Sequence, residues 1–195
     1  FCKRKFHQSL NIFNAFIYKK IEKYHPDIIN LHWINRSMIS LSELNKFKTN
    51  IVISFHDMWY FNPTEHYFKK KFDKNSYLKN YCWKLKRKIL YKKNVFFIVH
   101  NKWMFQELIK RHPKLKKKTY LVENYPIDTD TFKPRNKINL RKKYDLPLEK
   151  KIIFFSAQDI TDERKGFKFF VRLIEKLSNN DNLFFLSLDK NEIKI

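Results

Sequence analysis

A histidine and an aspartate stand side by side at the end of a short apolar run. Residues 51–55 are Ile-Val-Ile-Ser-Phe, and His56 and Asp57 follow directly. A buried parallel strand has this composition, and ligands of open α/β sheets bind outside the carboxyl ends of the strands. A His and an Asp at this position are well placed for chemistry. The alternative, a His-Asp pair that only caps a loop, stays open from the local sequence.

A second candidate site lies near the end of the chain. Residues 159–166 are Asp-Ile-Thr-Asp-Glu-Arg-Lys-Gly, so Arg164 and Lys165 precede Gly166 at a predicted strand-to-helix turn. Free amides at a helix start and the positive end of its dipole favour an anion. Two cations there could hold a diphosphate, whereas the alternative is an exposed Arg-Lys pair in a basic chain.

Apolar periodicity predicts the elements that position these groups. It predicts a helix over residues 6–24, a strand over 28–34, a helix capped by Asn35 or Ser37 with Met38, Leu41 and Leu44 inward, and a strand over 51–55. Further strands are predicted over 95–99, which ends at His100, and over 119–122, with a helix capped by Asn101 between them. This alternation predicts an α/β fold with a parallel sheet and right-handed crossovers.

Two segments, one aromatic and one basic, each allow two interpretations. The loop over residues 57–73 is rich in aromatic rings, which suit sugars or lipid but could equally cover the core. Residues 76–93 predict a basic helix whose apolar stripe is Tyr77, Tyr81, Leu85, Ile89 and Leu90. Such a helix can lie on an anionic membrane, or its basic face can simply be solvated.

A second unit is predicted after residue 134. It contains a short helix over residues 140–144, a strand over 152–155, a helix over 166–177 and a strand over 183–188. Strand, helix and strand in this order predict the beginning of a second α/β domain.

Composition narrows the classes of function. The formal net charge is +23, yet 34 Lys stand against 8 Arg, which disfavours specific nucleic-acid binding and leaves an anionic membrane or a phosphate-bearing ligand as partner. A single Gly excludes a glycine-rich phosphate loop within these residues. Cys2 and Cys82 are isolated, so neither a metal site nor a disulfide framework is indicated. No apolar run approaches the length of a membrane span.

Several segments together resemble the family 4 retaining glycosyltransferases of GT-B fold, especially those of colanic-acid, exopolysaccharide and lipopolysaccharide biosynthesis. The matching segments are HPDIINLHW at residues 25–33, FHDMW at 55–59, HY at 66–67, KW at 102–103, Asn124 with PIDT at 126–129 and FKP at 132–134, and the segment 157–167 that ends in RKGF. They occur in the family's order and at family-like spacings. The resemblance spans the chain from about residue 26 to residue 167.

The resemblance implies two Rossmann-like domains facing each other across a cleft. His56 matches the family's active-site histidine, and Arg164, Lys165 and Gly166 match the positions that hold the diphosphate of a UDP- or GDP-sugar. The acceptor-side candidates are His32, Trp33, Asp57, Trp59, His66 and Tyr67. Neither a metal nor another cofactor would be needed, because the cations offset the leaving-group charge. Retention would proceed by front-face attack with the diphosphate as base.

The chain also departs from the family. Asn62-Pro63-Thr64-Glu65 stands where the family usually has Gly-Gly-Cys, and the two Glu residues that grip the donor ribose and sugar are absent. We therefore expect an internal fragment with little transferase activity of its own. The expected parts are an N-terminal domain over residues 1–125, a linker over 126–150 and the beginning of a C-terminal domain over 151–195.

The sequence supports one leading function and two alternatives. The leading function is sugar transfer from a nucleotide-sugar to a saccharide or lipid-linked acceptor, in the cytoplasm or peripherally on the inner face of the cell membrane. One alternative is an inactive remnant of such an enzyme. The other is a basic protein that binds anionic lipid or nucleic acid, and salt-sensitive binding to any polyanion would favour it.

Overall fold

The computed structural model describes residues 8–13, 16–67, 76–189 and 193–194. The chain divides into two compact units, Phe1–Pro126 and Ile127–Ile195. Each unit contains its own β-sheet. The two units are therefore described one at a time.

The first unit is built on a sheet of four parallel strands. In sheet order these are β1 (Ile28–His32), β2 (Asn50–Phe55), β3 (Val95–Val99) and β4 (Thr119–Leu121). All pairings are parallel, with Ile53 opposite both Leu31 and Phe97. The apolar runs that predicted β2 and β3 lie in the middle of the sheet, between β1 and β4. The prediction of an α/β fold with a parallel sheet is confirmed.

Helices connect these strands, as the alternating pattern predicts. They are α1 (Ile17–Glu22), α2 (Leu41–Leu44), α3 (Tyr77–Leu90) and α4 (Lys102–Arg111), with 3₁₀ turns at Trp59–Phe61 and Pro113–Lys118. Asn101 caps α4 as predicted, since its side chain accepts a 2.7 Å hydrogen bond from the Met104 amide. Cap and strand together place His100 and Asn101 at the turn between β3 and α4.

Three details of the predicted helices are wrong. Of the helix predicted over residues 6–24, the described residues 8–13 and 16–24 form only α1, because Asn11 and Phe16 adopt left-handed backbone conformations that interrupt it. The cap of α2 is Ser40, which forms a capping box with Glu43, and neither Asn35 nor Ser37 caps it. Met38, predicted to point inward, is 53% exposed.

The predicted apolar stripe of α3 is correct at Ile89 and Leu90 and wrong at Tyr77 and Tyr81. Tyr77 and Tyr81 are exposed, whereas Cys82 and Lys86 are buried together with Ile89 and Leu90. The buried face of α3 is thus rotated, and it includes Lys86, which the apolar periodicity assigned to the solvent-exposed face. The physical reason is that Lys86 finds two backbone carbonyl partners inside the protein, which offset the cost of burying its amine.

The core of the first unit is centred on one face of the central strands, and Val52 and Phe96 on the other face are only half-buried. Ile51, Ile53, Phe55 and Phe97 are fully buried, and Phe55 stacks on the Tyr60 ring at 5.2 Å between centroids. The 3₁₀ turn at Trp59–Phe61 is buried as well. The described part of the aromatic loop therefore contributes to the core, directly beside the carboxyl end of β2.

The second unit pairs two parallel strands with a helix. It contains α5 (Lys137–Lys143), β5 (Lys151–Ser156), a 3₁₀ turn (Glu163–Lys165), α6 (Phe167–Leu177), β6 (Leu183–Leu188) and β7 (Ile193–Lys194). β5 and β6 are parallel, whereas β6 and β7 are antiparallel. Phe155 of β5 packs on Phe167 and Phe170 of α6, with ring centroids 5.3 and 5.4 Å apart. This aromatic cluster holds α6 against the sheet.

Candidate functional site

Each of the four parallel strands delivers a polar ring to the same edge of the sheet. His32 is the last residue of β1, His56 follows β2, His100 follows β3, and Tyr125 lies four residues beyond β4. Because carboxyl ends of parallel strands meet at one edge, residues far apart in sequence become neighbours there. We call His32, His56, His100 and Tyr125 the edge cluster.

His56 lies at the centre of the edge cluster. Its Nε2 atom is 2.9 Å from Nδ1 of His32, and its Nδ1 atom is 3.3 Å from the Tyr125 hydroxyl. The Tyr125 ring stacks on His100 with centroids 4.2 Å apart, and the His56 and His100 rings are 5.7 Å apart. The structure thus brings together two residues singled out from the sequence, His32 and His56.

The two hydrogen bonds of His56 can run in either of two directions. A neutral imidazole has one N–H donor and one acceptor nitrogen, so His56 either accepts from Tyr125 and donates to His32, or does the reverse. Burial, followed by the neighbouring His32 and His100 rings, lowers the pKa of His56 below 6.5. His56 is therefore neutral at neutral pH and can pass a proton between its two partners.

His100 is the functional candidate that the sequence reasoning missed. Both of its ring nitrogens are buried, and neither has a hydrogen-bond partner in the part of the chain that the structure describes. Buried polar atoms normally find partners, so these two nitrogens are available to a ligand or to water. The signal was present in the sequence, because His100 follows a buried strand just as His56 does.

Asp57 and His66 form a second group, beside the edge cluster. Oδ2 of Asp57 lies 2.6 Å from Nδ1 of His66, and its Oδ1 accepts a 2.9 Å hydrogen bond from the Trp59 amide. The other ring nitrogen of His66, Nε2, is 2.9 Å from the hydroxyl of Ser9. The structure therefore links two predicted acceptor-side residues to a serine that the sequence did not single out.

The other acceptor-side candidates differ in exposure. Trp33 and Tyr67 are 42% and 40% exposed, and their ring centroids lie 6.3 and 6.5 Å from that of His66. Trp33 has a positive φ of 42°, which is unusual for a bulky residue and turns the chain sharply after β1. Trp59, by contrast, is fully buried. Of these three rings, Trp33 and Tyr67 offer an aromatic face to a ligand and Trp59 does not.

Cations from α3 hold the aromatic loop in place. Nζ of Lys86 donates to the Trp59 and Asn62 carbonyl oxygens at 2.6 and 2.9 Å, and lies 3.5 Å from the Trp59 ring centroid. Lys79 forms a 2.8 Å ion pair with Glu65. Burial raises the pKa of Glu65, but hydrogen bonds from Lys79 and from backbone amides outweigh it and lower the pKa overall. The described part of the loop, residues 57–67, is thus fixed by buried polar contacts.

The predicted diphosphate-binding residues belong to the second unit. Arg164 and Lys165 end the 3₁₀ turn, and Gly166, with φ of 80°, precedes α6. The guanidinium of Arg164 pairs with Asp162, while Lys165 is exposed. A cavity of about 490 Å³ opens nearby and is lined by Ile160, Thr161, Glu163, Phe167, Lys168, Val171, Arg172 and Glu175. The turn has the predicted place in the fold, with Arg164 engaged by a carboxylate.

Gly166 provides a direct test of this turn. A Cβ atom there would lie 3.3 Å from Cδ2 of Phe169, and a side chain strains the left-handed backbone. We expect Gly166→Ala to destabilise α6 by about 1–2 kcal/mol. Amide hydrogen exchange of α6 measures this, and Ser178→Ala, at a position with an ordinary negative φ, is the control. Unchanged protection in Gly166→Ala would contradict the assigned backbone conformation.

Comparisons with known proteins add nothing to this picture. No protein-family model, curated protein or solved structure matches the chain. Within the described ranges, no three His, Cys, Asp or Glu side chains are arranged to hold a metal ion. The helices described here also include none that is long and apolar enough to cross a membrane.

Proposed function

We propose that this chain belongs to a retaining glycosyltransferase, and that the edge cluster of the first unit contacts the sugar during transfer. The observation that carries the proposal is the convergence of three imidazoles and a phenol at the carboxyl edge of one parallel sheet. Ligands of open α/β sheets bind at this edge. The ordered segments that resemble family 4 glycosyltransferases supply the reaction class.

The chemistry of the cluster suits a saccharide. Sugar hydroxyls both donate and accept hydrogen bonds, and so do neutral imidazoles and a phenol. The unpartnered nitrogens of His100 offer contacts to such hydroxyls, and the exposed parts of Trp33 and Tyr67 offer flat apolar faces. The acceptor in this proposal is a saccharide, free or lipid-linked.

The proposed donor is a UDP- or GDP-sugar whose diphosphate contacts the turn before α6. Arg164 and Lys165 supply positive charge there, and charge-assisted contacts to phosphate are among the stronger polar interactions. Arg164 must exchange its Asp162 partner for the diphosphate, so part of its contribution is offset. Lys165 is exposed and has no such cost, which makes it the more informative residue to replace.

Binding of UDP and GDP tests the donor site. We expect saturable thermal stabilisation by one of the two, because a ligand that binds only the folded chain raises its apparent stability. Lys165→Ala should weaken this binding about tenfold, the loss of one charge-assisted contact. Lys142→Ala, which removes an exposed charge from α5, is the matched control. If UDP and GDP bind no better than heparin, and if added salt weakens the binding of all three, the result would favour a general polyanion-binding protein instead.

His56→Ala tests the edge cluster. In a complete enzyme that contains this chain, we expect it to lower sugar transfer, measured as release of UDP or GDP from a nucleotide-sugar, by at least about a hundredfold, because it removes a preorganised polar group beside the reacting sugar. Stabilisation by the free nucleotide should be unchanged, since Arg164 and Lys165 lie in the other unit. Unchanged turnover in His56→Ala would remove His56 from the site.

A further inference from the structure

Ser9, His66 and Asp57 are joined in a single hydrogen-bonded series. The Asp57 carboxylate can only accept, so Nδ1 of His66, at 2.6 Å, carries the proton between them. Nε2 of a neutral His66 is then the acceptor nitrogen, and the Ser9 hydroxyl, at 2.9 Å, donates to it. Each hydrogen bond therefore points from serine to histidine and from histidine to aspartate, the order that activates a serine nucleophile.

The three residues are held rigidly. Ser9 is fixed through its backbone, because its amide donates to the Thr64 carbonyl at 2.9 Å and its own carbonyl accepts from the Trp59 indole at 2.7 Å. Asp57 is fixed by the Trp59 amide. A rigid arrangement favours catalysis, because little reorganisation is needed when a substrate arrives.

The three residues of the series differ in how far they are buried. Asp57 and His66 are almost fully buried, whereas Ser9 is only half-buried. The half-exposed rings of Trp33 and Tyr67 lie beside His66. Ser9 is thus the most accessible residue of the three, and the neighbouring rings are aromatic, which suits an acyl or aryl group.

We propose that Ser9 is a nucleophile that accepts an acyl group from an activated ester, with His66 as general base and Asp57 as the residue that orients His66. Ser9 Oγ bonds to the ester carbonyl carbon as its proton passes to His66 Nε2, and the alcohol leaves with that proton. Water, activated by the same nitrogen, then cleaves the acyl-serine and releases the acid. The overall reaction is ester hydrolysis, which is separate from sugar transfer at the edge cluster.

A fluorophosphonate probe tests the proposal directly. Attack by an activated serine forms an Oγ–P bond and expels fluoride, and His66 takes the hydroxyl proton. We expect one adduct on the folded chain, mapped to Ser9 by mass spectrometry, that Ser9→Ala abolishes. Asp57→Asn should slow labelling at least about a hundredfold, because the amide no longer fixes the His66 tautomer. Ser37→Ala, at a similarly half-buried serine, should label like the parent chain.

The parent chain in urea provides the decisive comparison, since it needs no substitution. Labelling of Ser9 should fall to the rate of the other serines once the fold is lost. An unlabelled Ser9 in the folded chain, or equal rates in the folded and unfolded chains, would overturn the proposal. Neither outcome bears on nucleotide binding or on His56, so the two proposals fail separately.

Discussion

Replacing Lys86 by methionine is expected to lower the free energy of unfolding of the first unit by about 2–4 kcal/mol. Methionine retains most of the volume but leaves the buried Trp59 and Asn62 carbonyl oxygens without their donor, at about 1–3 kcal/mol each. Lys86→Ala should cost more, because it also opens a cavity beside the Trp59 ring.

Tryptophan fluorescence reports on this unit alone, because all four tryptophans lie within it. Unfolding by urea, followed by fluorescence, therefore measures the loss. Lys88→Met removes the same charge from an exposed position of the same helix and should change the free energy of unfolding by less than about 0.5 kcal/mol. A Lys86→Met chain as stable as the parent would show that the two carbonyl contacts contribute nothing.

Lys86→Met should also alter how the stability of the first unit depends on pH. Burial lowers the pKa of Lys86 well below 10.5, so between the lowered value and 10.5 the unfolded chain binds more protons than the folded chain. Stability of the parent therefore rises with pH in this interval, by up to about 1.4 kcal/mol per pH unit. In Lys86→Met, the free energy of unfolding should not rise with pH in this interval, because the titrating amine is absent. Urea unfolding at pH 7 to 10 should show the difference between the two proteins widening with pH.

The strands were predictable because their signal is local. Ile51, Val52 and Ile53 are β-branched and apolar, and such residues are enriched in strands. Polar residues at the end of such a run must lie at the sheet edge, whatever the rest of the chain does. His56 could be singled out for this reason, and the same rule applied to β3 would have added His100.

The errors arose where distant contacts decide the local structure. A lysine on a helix is expected in solvent, and only the carbonyls of a loop more than twenty residues away explain why Lys86 is buried. The helix predicted over residues 6–24 has good apolar spacing, yet Asn11 uses its side-chain amide to bond the Ile34 and Ile39 carbonyls instead. Periodicity contains no information about such partners.

The link between Ser9 and His66 was hidden for the same reason. Fifty-seven positions separate the two residues, and neither lies in a motif that points to the other. By contrast, Asp57 and His66 are nine positions apart in one loop, and their resemblance to family positions marked both. Sequence reasoning therefore finds site residues that share a strand end or a motif, and misses those brought in by an irregular segment.

Replacing Asp57 by alanine is expected to lower the free energy of unfolding by about 3–5 kcal/mol. Both carboxylate oxygens are used, by the Trp59 amide and by His66, and the side chain is almost fully buried. Removing the carboxylate leaves two buried donors unpaired, and a broken buried polar pair costs far more than an exposed one. Asp57→Asn should cost less, because its amide oxygen can still accept from Trp59.

Urea unfolding followed by tryptophan fluorescence measures both losses, and Asp27→Ala, which removes an exposed carboxylate from the same unit, is the control. A double variant tests whether Asp57 and Lys86 act together. Burial lowers the pKa of Lys86, and the negative charge of Asp57 partly offsets this by raising it, so each group stabilises the charge of the other. The double variant Asp57→Ala/Lys86→Met should therefore lose less than the sum of the single losses, by at least about 0.5 kcal/mol. Additive losses would mean that the carboxylate and the amine act independently, and that the loop lacks the connected polar network inferred here.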